Sequence, residues 1–209
     1  MIQMSHDTRE KIIQSASELI YASSYSDVGV QAICNHAGVK KGSFYHFFAS
    51  KRELALAMID AQNEQAKNAI LDPSFASDIP PLQRFTHLLE MMYQLQTQSK
   101  SECDHVLGCP IGNLALEMST RDEILRQKLD STFAKMKQRF KNTLQQAVDA
   151  GDISDIDLDN SADALLAYFE GIILLAKTRN DPDIIRKLVP NIKGLLLAKE
   201  RARNNFPQF

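Results

Sequence analysis

Apolar residues recur at the spacing of an α-helix along almost the whole chain, and this pattern limits the fold more than any other feature. The first apolar stripe consists of Ile12, Ile13, Ala16, Leu19 and Ile20. Its spacing places all five residues on one helical face. No segment shows the convincing alternation of apolar and polar residues that indicates a half-buried strand. The sequence therefore predicts an all-α protein.

Two breaks in the helical pattern suggest how the chain is divided. The stretch "SSYSDVG" separates a first helix from two short ones, and "LDPSFASDIPP" precedes a larger helical unit. Between them, Ser50 and Glu53 have the spacing of a capping box and predict the start of a longer helix. We expect an N-terminal domain at residues 1–53 and a C-terminal helical bundle at 54–209, with 54–71 as the connecting helix.

Composition argues against a membrane or secreted protein. No apolar run reaches the roughly 20 residues that a spanning helix needs, and the first residues lack the apolar region of a signal peptide. We therefore expect a cytoplasmic protein without a membrane partner. Its cysteines, Cys34, Cys103 and Cys109, are too few for a disulfide framework. No cofactor is predicted, and no metal, because Cys103, His105 and Cys109 contain no C-x-x-C pair.

The stretch "VQAICNHAGVKKGSFYHFF" has the pattern of a helix–turn–helix, with Gly38 and Val39 in the turn. In the second helix, Phe44 and Phe48 share one face and are expected to pack inward. The opposite face and the helix start present short polar and basic groups suited to a DNA major groove. These predicted DNA contacts are Lys40, Lys41, Gly42, Ser43, Tyr45 and His46, with Lys51 on a phosphate beyond the helix.

Residues 8–54, with "VQAICNHAGVKKGSFYHFFASKREL" as their core, resemble the N-terminal domain of the tetracycline-repressor family of bacterial transcriptional regulators. The resemblance implies a three-helix DNA-binding domain, a C-terminal domain for ligand binding and dimerisation, and a homodimer on a palindromic double-stranded DNA operator. By position it adds Gln31 to the DNA contacts. Gly29 departs from the Thr or Ser often found at that helix cap, so a side-chain phosphate contact there is absent or replaced by a backbone one.

A second segment, "GCPIGNLALEMS", resembles a branch of the family whose members include repressors of electrophile- and acrylate-detoxifying genes. Cys109 precedes a predicted helix, whose dipole can lower the pKa of a thiol. Cys109 is therefore a candidate sensor of electrophiles or oxidants. A buried cysteine with a packing role is an equally good interpretation, because free cysteines are among the most buried residues.

Helical bundles place ligand pockets between their helices, and methionine with aromatic residues suits a planar or apolar effector. Candidate effector-binding residues besides Cys109 are Phe85, Met92, Phe133, Tyr168 and Phe169. Most residues of this kind belong to the core, and the sequence does not separate the two roles.

The segment "ALLAYFEGIILLAK" is apolar over too wide an arc for a helix with one buried side. A second chain is the simplest cover for the remaining face. The alternative is that the helix is central in its own monomer. The predicted dimerisation residues are Leu165, Phe169, Ile172, Ile173, Leu188 and Leu195.

These patterns predict a ligand-responsive, dimeric DNA-binding regulator, most simply a repressor, and not an enzyme. One alternative is a helical protein-interaction module that does not bind DNA. A second is a cysteine-dependent hydrolase with Cys109 as nucleophile and His105 as base. No orienting acid or oxyanion arrangement supports this enzyme.

Overall fold

The computed structural model describes residues 2–154 and 156–197, and within these ranges every regular element is helical. The prediction of an all-α protein is confirmed. The helices are α1 (Ile2–Ala22), α2 (Val30–His36), α3 (Lys41–Phe47), α4 (Lys51–Ala66), α5 (Asp72–Ser74), α6 (Pro81–Cys103), α7 (Pro110–Met118), α8 (Glu123–Asp149), α9 (Leu158–Arg179), α10 (Asp183–Leu188) and α11 (Asn191–Leu197). A π-helical segment, Lys67–Leu71, joins α4 to α5. Among the described residues, no helix is both long and apolar enough to cross a membrane.

Local signals in the sequence explain several helix boundaries. Ser50 caps α4, since its hydroxyl accepts a hydrogen bond from the Glu53 N–H at 3.2 Å. Glu53 returns the contact, because its carboxylate accepts the Ala49 N–H at 2.9 Å. This is the predicted capping box. Pro190 lies between α10 and α11, where its missing N–H cannot continue a helix.

The chain forms two compact units, and the first contains residues 2–67 and 110–131. Its core is built from apolar faces of α1, α2, α3 and α4. The central buried residues are Ile12, Ala16, Ile33, Cys34, Phe44, Leu54, Met58 and Ile59. The expected functional boundary at 53/54 differs from this packing division, which places α4, α7 and the start of α8 with the N-terminal helices.

Of the described residues, the second unit contains 68–109, 132–154 and 156–197. Four phenylalanines from α6, α8, α9 and the segment after α5 meet at its centre, with ring centroids 5.2–6.4 Å apart. These residues are Phe75, Phe85, Phe140 and Phe169. Aromatic pairs at such distances stabilise a core beyond the area they bury.

Candidate DNA-binding surface and cysteine loop

The turn between α2 and α3 depends on Gly38. Its φ of +67° is in the left-handed region, where a residue with a Cβ is strained. The Gly38 N–H donates to the Asn35 carbonyl at 3.2 Å, and the Val39 N–H donates to the Cys34 carbonyl at 2.9 Å. These bonds end α2 sharply at His36, and α3 begins five residues later at Lys41.

Helix α3 has one buried side and one open side. Phe44 is fully buried and Phe48, just after the helix, is 3% exposed. Their rings lie 5.9 Å apart, and the Arg9 guanidinium covers Phe48 at 5.3 Å from the ring centroid. These aromatic residues therefore pack α3 against α1, and the rest of the α3 surface is available for contacts with another molecule.

The open side of α3 carries the predicted DNA contacts. Tyr45 is 51% exposed even though its ring edge packs on Phe44 at 5.2 Å. A Cβ built on Gly42 would meet no atom within 4 Å, so nothing in the fold itself demands a glycine there. Ser43 is half-buried, whereas the remaining members of the set, Lys40, Lys41, Gly42 and His46, are exposed. These residues lie on α3 or at its N-cap, and they make this part of the chain polar and basic.

Two other predicted contacts engage other parts of the protein. Gln31 is exposed on α2, and its amide donates to the Asn35 side chain at 2.9 Å. Lys51 is half-buried. Its ammonium donates to the Tyr25 carbonyl and lies 4.2 Å from the centroid of the Tyr25 ring. Burial lowers the pKa of Lys51. The phosphate contact of Lys51 stays a prediction, and the structure gives this lysine a partner within the protein.

The loop before α7 holds Cys109 through side chains that the sequence did not single out. Gln96 of α6 is 2% exposed. Its amide donates to the Gly108 carbonyl at 3.0 Å and accepts the Gly108 N–H at 2.9 Å. Gly108 itself has a φ of +86°. This paired contact fixes the peptide that precedes Cys109.

Asn180, which ends α9, holds the other end of the same loop. Its side chain accepts the Val106 N–H at 2.8 Å and donates to the Asp104 carbonyl at 2.9 Å. Lys100 donates to the Asn180 carbonyl at 2.7 Å. The loop from residue 104 to 109 is therefore positioned by α6 and α9 together.

Cys109 is half-buried and pairs with a carboxyl of α9. Its thiol forms a hydrogen bond with Glu170, a half-buried residue whose pKa is raised by burial, although the thiol bond opposes that shift. Cys103 is exposed, and its thiol donates to the Ser99 carbonyl at 3.1 Å. His105 is exposed. Among the described residues, no group of His, Cys, Asp and Glu is arranged to hold a metal ion.

The residues predicted to bind an effector divide by burial. Phe85 is fully buried and Phe169 is 1% exposed, so both belong to the core and offer no surface to a ligand in this structure. Met92 and Tyr168 are partly buried against that core, and Phe133 is half-buried. The Tyr168 hydroxyl donates to the Leu188 carbonyl at 2.6 Å. Their role in effector binding stays a prediction.

The predicted dimerisation residues differ in how far the single chain already buries them, and their role in dimerisation stays a prediction. Four of them, Leu165, Phe169, Ile172 and Ile173, are 1–4% exposed and lie in the core of a single chain. Leu188 is partly buried, and Leu195 is 39% exposed. The wide apolar arc of α9 is explained mainly by burial within the monomer, which was the alternative interpretation of the sequence. The same helix exposes two other leucines, Leu174 and Leu175, at 50% and 39%.

Glu117 of α7 is a residue that sequence reasoning missed. Its carboxylate accepts the Tyr25 N–H at 2.8 Å and the Ser26 N–H at 2.7 Å. Burial opposes ionisation, but these hydrogen bonds outweigh it and lower the pKa of Glu117. The partners lie more than 90 residues apart in the chain. The local signal that could have drawn attention to it is an acidic residue on a short, mostly apolar helix.

Known proteins resemble the chain in both of its parts. Residues 12–58 match the model of the tetR family of bacterial regulatory proteins, and residues 81–191 match the tetracyclin repressor-like C-terminal domain. The transcriptional regulator AcuR of Cereibacter sphaeroides is 31% identical over 176 residues, which are 83% of this chain and 78% of AcuR. The transcriptional repressor DhaR of Mycobacterium sp. strain GP1 is 25% identical over 198 residues, or 94% of this chain and 96% of DhaR.

A solved structure shares the fold at similar identity. The regulatory protein TetR from Rhodobacter sphaeroides superposes with a TM-score of 0.78 and 29% identity, covering 90% of this chain and 98% of that one. The likeness therefore extends well beyond the helix–turn–helix.

Proposed function

The chain belongs to the tetracycline-repressor family of DNA-binding transcriptional regulators, and from this premise we propose that it is a dimeric repressor released from a palindromic operator by a small effector. The observation that carries the proposal is α3. Phe44 is buried on one side of this helix, whereas Lys41, Tyr45 and His46 are exposed. Such a surface fits a major groove, where short polar groups reach base edges.

The two alternatives from the sequence are not favoured. A family of transcriptional regulators is not a family of enzymes, so the cysteine-dependent hydrolase has no support. An interaction module without DNA binding would have no need for the exposed set around Lys41 and Tyr45. Relatives that include a named repressor favour repression over activation.

Dimerisation is proposed on two grounds. A single seven-residue recognition helix reads few base pairs, whereas a twofold dimer reads two half-sites about 34–36 Å apart. The second ground is the exposed leucines of the last helices. Leu174 and Leu175 on α9 and Leu195 on α11 are between 39% and 50% exposed. These leucines are candidates for a surface that a second copy covers.

The proposed effector acts through the second unit. We expect its binding to shift α4 of each subunit and to change the separation of the two recognition helices. Coupling of this kind typically amounts to about 1–3 kcal/mol. The effector class that best suits Cys109 is a small electrophile such as a quinone or an unsaturated carbonyl compound. The likeness of "GCPIGNLALEMS" to the electrophile-responsive branch supports this choice.

The environment of Cys109 supports a sensing role without requiring it. The thiol is half-buried, stands immediately before the nine-residue helix α7, and is placed by the Gln96 contact to Gly108. Oxidation or alkylation here would change the packing of this fixed loop.

A DNA-binding regulator of this kind is expected to work in the cytoplasm.

A gel-shift titration on the gene's own upstream DNA tests the proposal. It uses two salt concentrations and an excess of nonspecific competitor. We expect a specific complex that weakens as salt is raised, and that dissociates when 1,4-benzoquinone is added. The Cys109→Ser variant should keep the complex and lose the response to the quinone, whereas Cys103→Ser should retain both. A response unchanged in Cys109→Ser would exclude the sensing role alone, and absence of any specific complex would exclude the repressor.

A further inference from the structure

The turn between α1 and α2 is held from two sides by charged side chains. From α7, the Glu117 carboxylate accepts the N–H groups of Tyr25 and Ser26 at 2.8 and 2.7 Å. From α4, the Lys51 ammonium donates to the Tyr25 carbonyl and packs against the Tyr25 ring. We call this arrangement of Lys51, Tyr25, Ser26 and Glu117 the turn clamp. It pairs the polar groups of one peptide turn with both a cation and an anion.

The surroundings of the turn clamp show that it is built from several elements. Arg121, just beyond α7, donates to the Ser26 hydroxyl at 3.1 Å. Two ion pairs then join α4 to the region that follows α7, and both measure 2.5 Å between nitrogen and oxygen. These pairs are Arg52–Asp122 and Lys128–Asp60. These polar contacts join α7 and the start of α8 to the DNA-binding helices, although the two regions are far apart in the sequence.

Both charged residues of the turn clamp, Lys51 and Glu117, have shifted pKa values. The Lys51 pKa is lowered by burial, and nearby Glu117 partly opposes that shift. The hydrogen bonds from Tyr25 and Ser26 lower the pKa of Glu117 in spite of burial. A surface charge fully hydrated by water would show neither effect. Both side chains therefore interact with the turn, and Lys51 makes its contacts to Tyr25 in the absence of DNA.

We propose that the turn clamp positions the helix–turn–helix for operator recognition, with Glu117 and Lys51 as positioning residues that do not touch DNA. The turn leads directly into α2, so its attachment to α7 and α4 limits the directions in which α2 and α3 can point. Lys51 then affects DNA binding through Tyr25 and not through a phosphate.

This inference rests on the proposed function, because it concerns how two recognition helices match two half-sites. Glu117→Gln is the sharpest variant, since it keeps the side-chain shape while removing the charge and one of the two acceptors. Asp130→Asn, an exposed residue of α8 in the same unit, is the matched control. The DNA probes are an operator selected from random sequences by the wild-type protein, the same operator with one base pair inserted at its centre, and a single half-site.

We expect Glu117→Gln to bind the single half-site like the wild type, while its preference for the native spacing over the inserted one falls by about fivefold or more. Asp130→Asn should match the wild type on all three probes. The inference is overturned when the spacing preference of Glu117→Gln stays intact, or when half-site and full-operator binding weaken equally. A wild-type protein that selects no DNA would instead overturn the proposed function. Should Glu117→Gln not fold, Glu117→Asp keeps the charge and shortens the reach, with the same expected direction.

Lys51→Ala separates the turn clamp from the phosphate contact. A lysine that touches a phosphate lowers the salt dependence of binding by about one unit of slope when it is removed. The turn clamp predicts an unchanged salt slope and a weakened spacing preference, as in Glu117→Gln. A shallower salt dependence with an intact spacing preference would indicate that Lys51 contacts a DNA phosphate. It would overturn the role of Lys51 in the turn clamp.

Discussion

The helix–turn–helix and the cysteine loop are both short segments with a glycine of positive φ, yet they are built in different ways. In the helix–turn–helix, Gly38, the backbone bonds around it and the buried Phe44 all lie within a few residues of one another. In the cysteine loop, Gly108 is fixed by Gln96 of α6, and the loop start by Asn180 of α9. Local sequence therefore specifies the first segment, whereas the fold of the whole unit specifies the second.

Gln96→Leu tests how strongly the cysteine loop depends on a distant side chain. Leucine has a similar volume but cannot form the two hydrogen bonds that Gln96 makes with the Gly108 N–H and carbonyl. We expect the free energy of unfolding to fall by about 1–3 kcal/mol, since each lost hydrogen bond contributes about 0.5–1.5 kcal/mol. Chemical denaturation measures the change, and Gln31→Leu on the exposed surface of α2 is the control. Equal, small effects in both variants would remove the contrast between the two segments.

Gly38→Ala tests the local construction of the helix–turn–helix. Alanine at a φ of +67° is strained, and the expected cost is about 1–2 kcal/mol of stability. The loss should appear in thermal unfolding together with weaker operator binding, because the turn sets the start of α3. An unchanged melting temperature would mean that the turn does not need the left-handed conformation.

Gly42→Ala separates folding from recognition within α3. The added Cβ meets open space, and alanine is the better helix former by up to about 1 kcal/mol. Stability should therefore stay the same or rise slightly, while operator affinity falls because the Cβ obstructs close approach to DNA. Thermal unfolding and fluorescence anisotropy on labelled operator measure the two effects. A variant with full affinity would show that the backbone at Gly42 does not come close to DNA.

Glu117 and Glu170 have opposite pKa shifts, so the two regions are expected to differ in how their stability depends on pH. The Glu117 pKa is lowered from its ordinary value of 4.5, so its stabilising contribution is present above that value and is lost as pH falls through the lower folded pKa. The Glu170 pKa is raised from the same value, so the folded state loses stability as pH rises from 4.5 through the raised pKa.

Urea unfolding at several pH values checks both signs. Glu117→Gln should lose part of the acid sensitivity that the wild type shows below about pH 4.5. Glu170→Gln should gain stability relative to the wild type as pH rises toward 7. Parallel pH profiles for the wild type and both variants would contradict the opposite shifts.

The same distinction explains what the sequence could predict. Helical periodicity gave the all-α fold, and the Ser50–Glu53 pair gave the start of α4, because both are local patterns. Gln96, Glu117 and Asn180 escaped prediction because each acts on a segment 12 to 92 residues away. Four of the residues expected at a dimer interface, all on α9, are buried within the single chain. A wide apolar arc shows that a helix is covered, but it does not show whether its own chain or another one covers it.

Lys51 shows the limit of reasoning from position alone. The residue type and its place after α3 suit a phosphate contact, which is what the family resemblance implies. Its contacts to Tyr25 depend on the path of the turn between α1 and α2, and the local sequence around Lys51 contains no signal for that path.

The most direct test of the account is the double variant Lys41→Ala/Tyr45→Ala, with Lys135→Ala on α8 as the control. Both changed side chains of the double variant are exposed, so its melting temperature should match that of the wild type. Operator affinity should fall about 100-fold or more, since each lost contact is worth about 1–3 kcal/mol. A double variant that binds the selected operator as tightly as the wild type would contradict the assignment of α3 as the recognition helix.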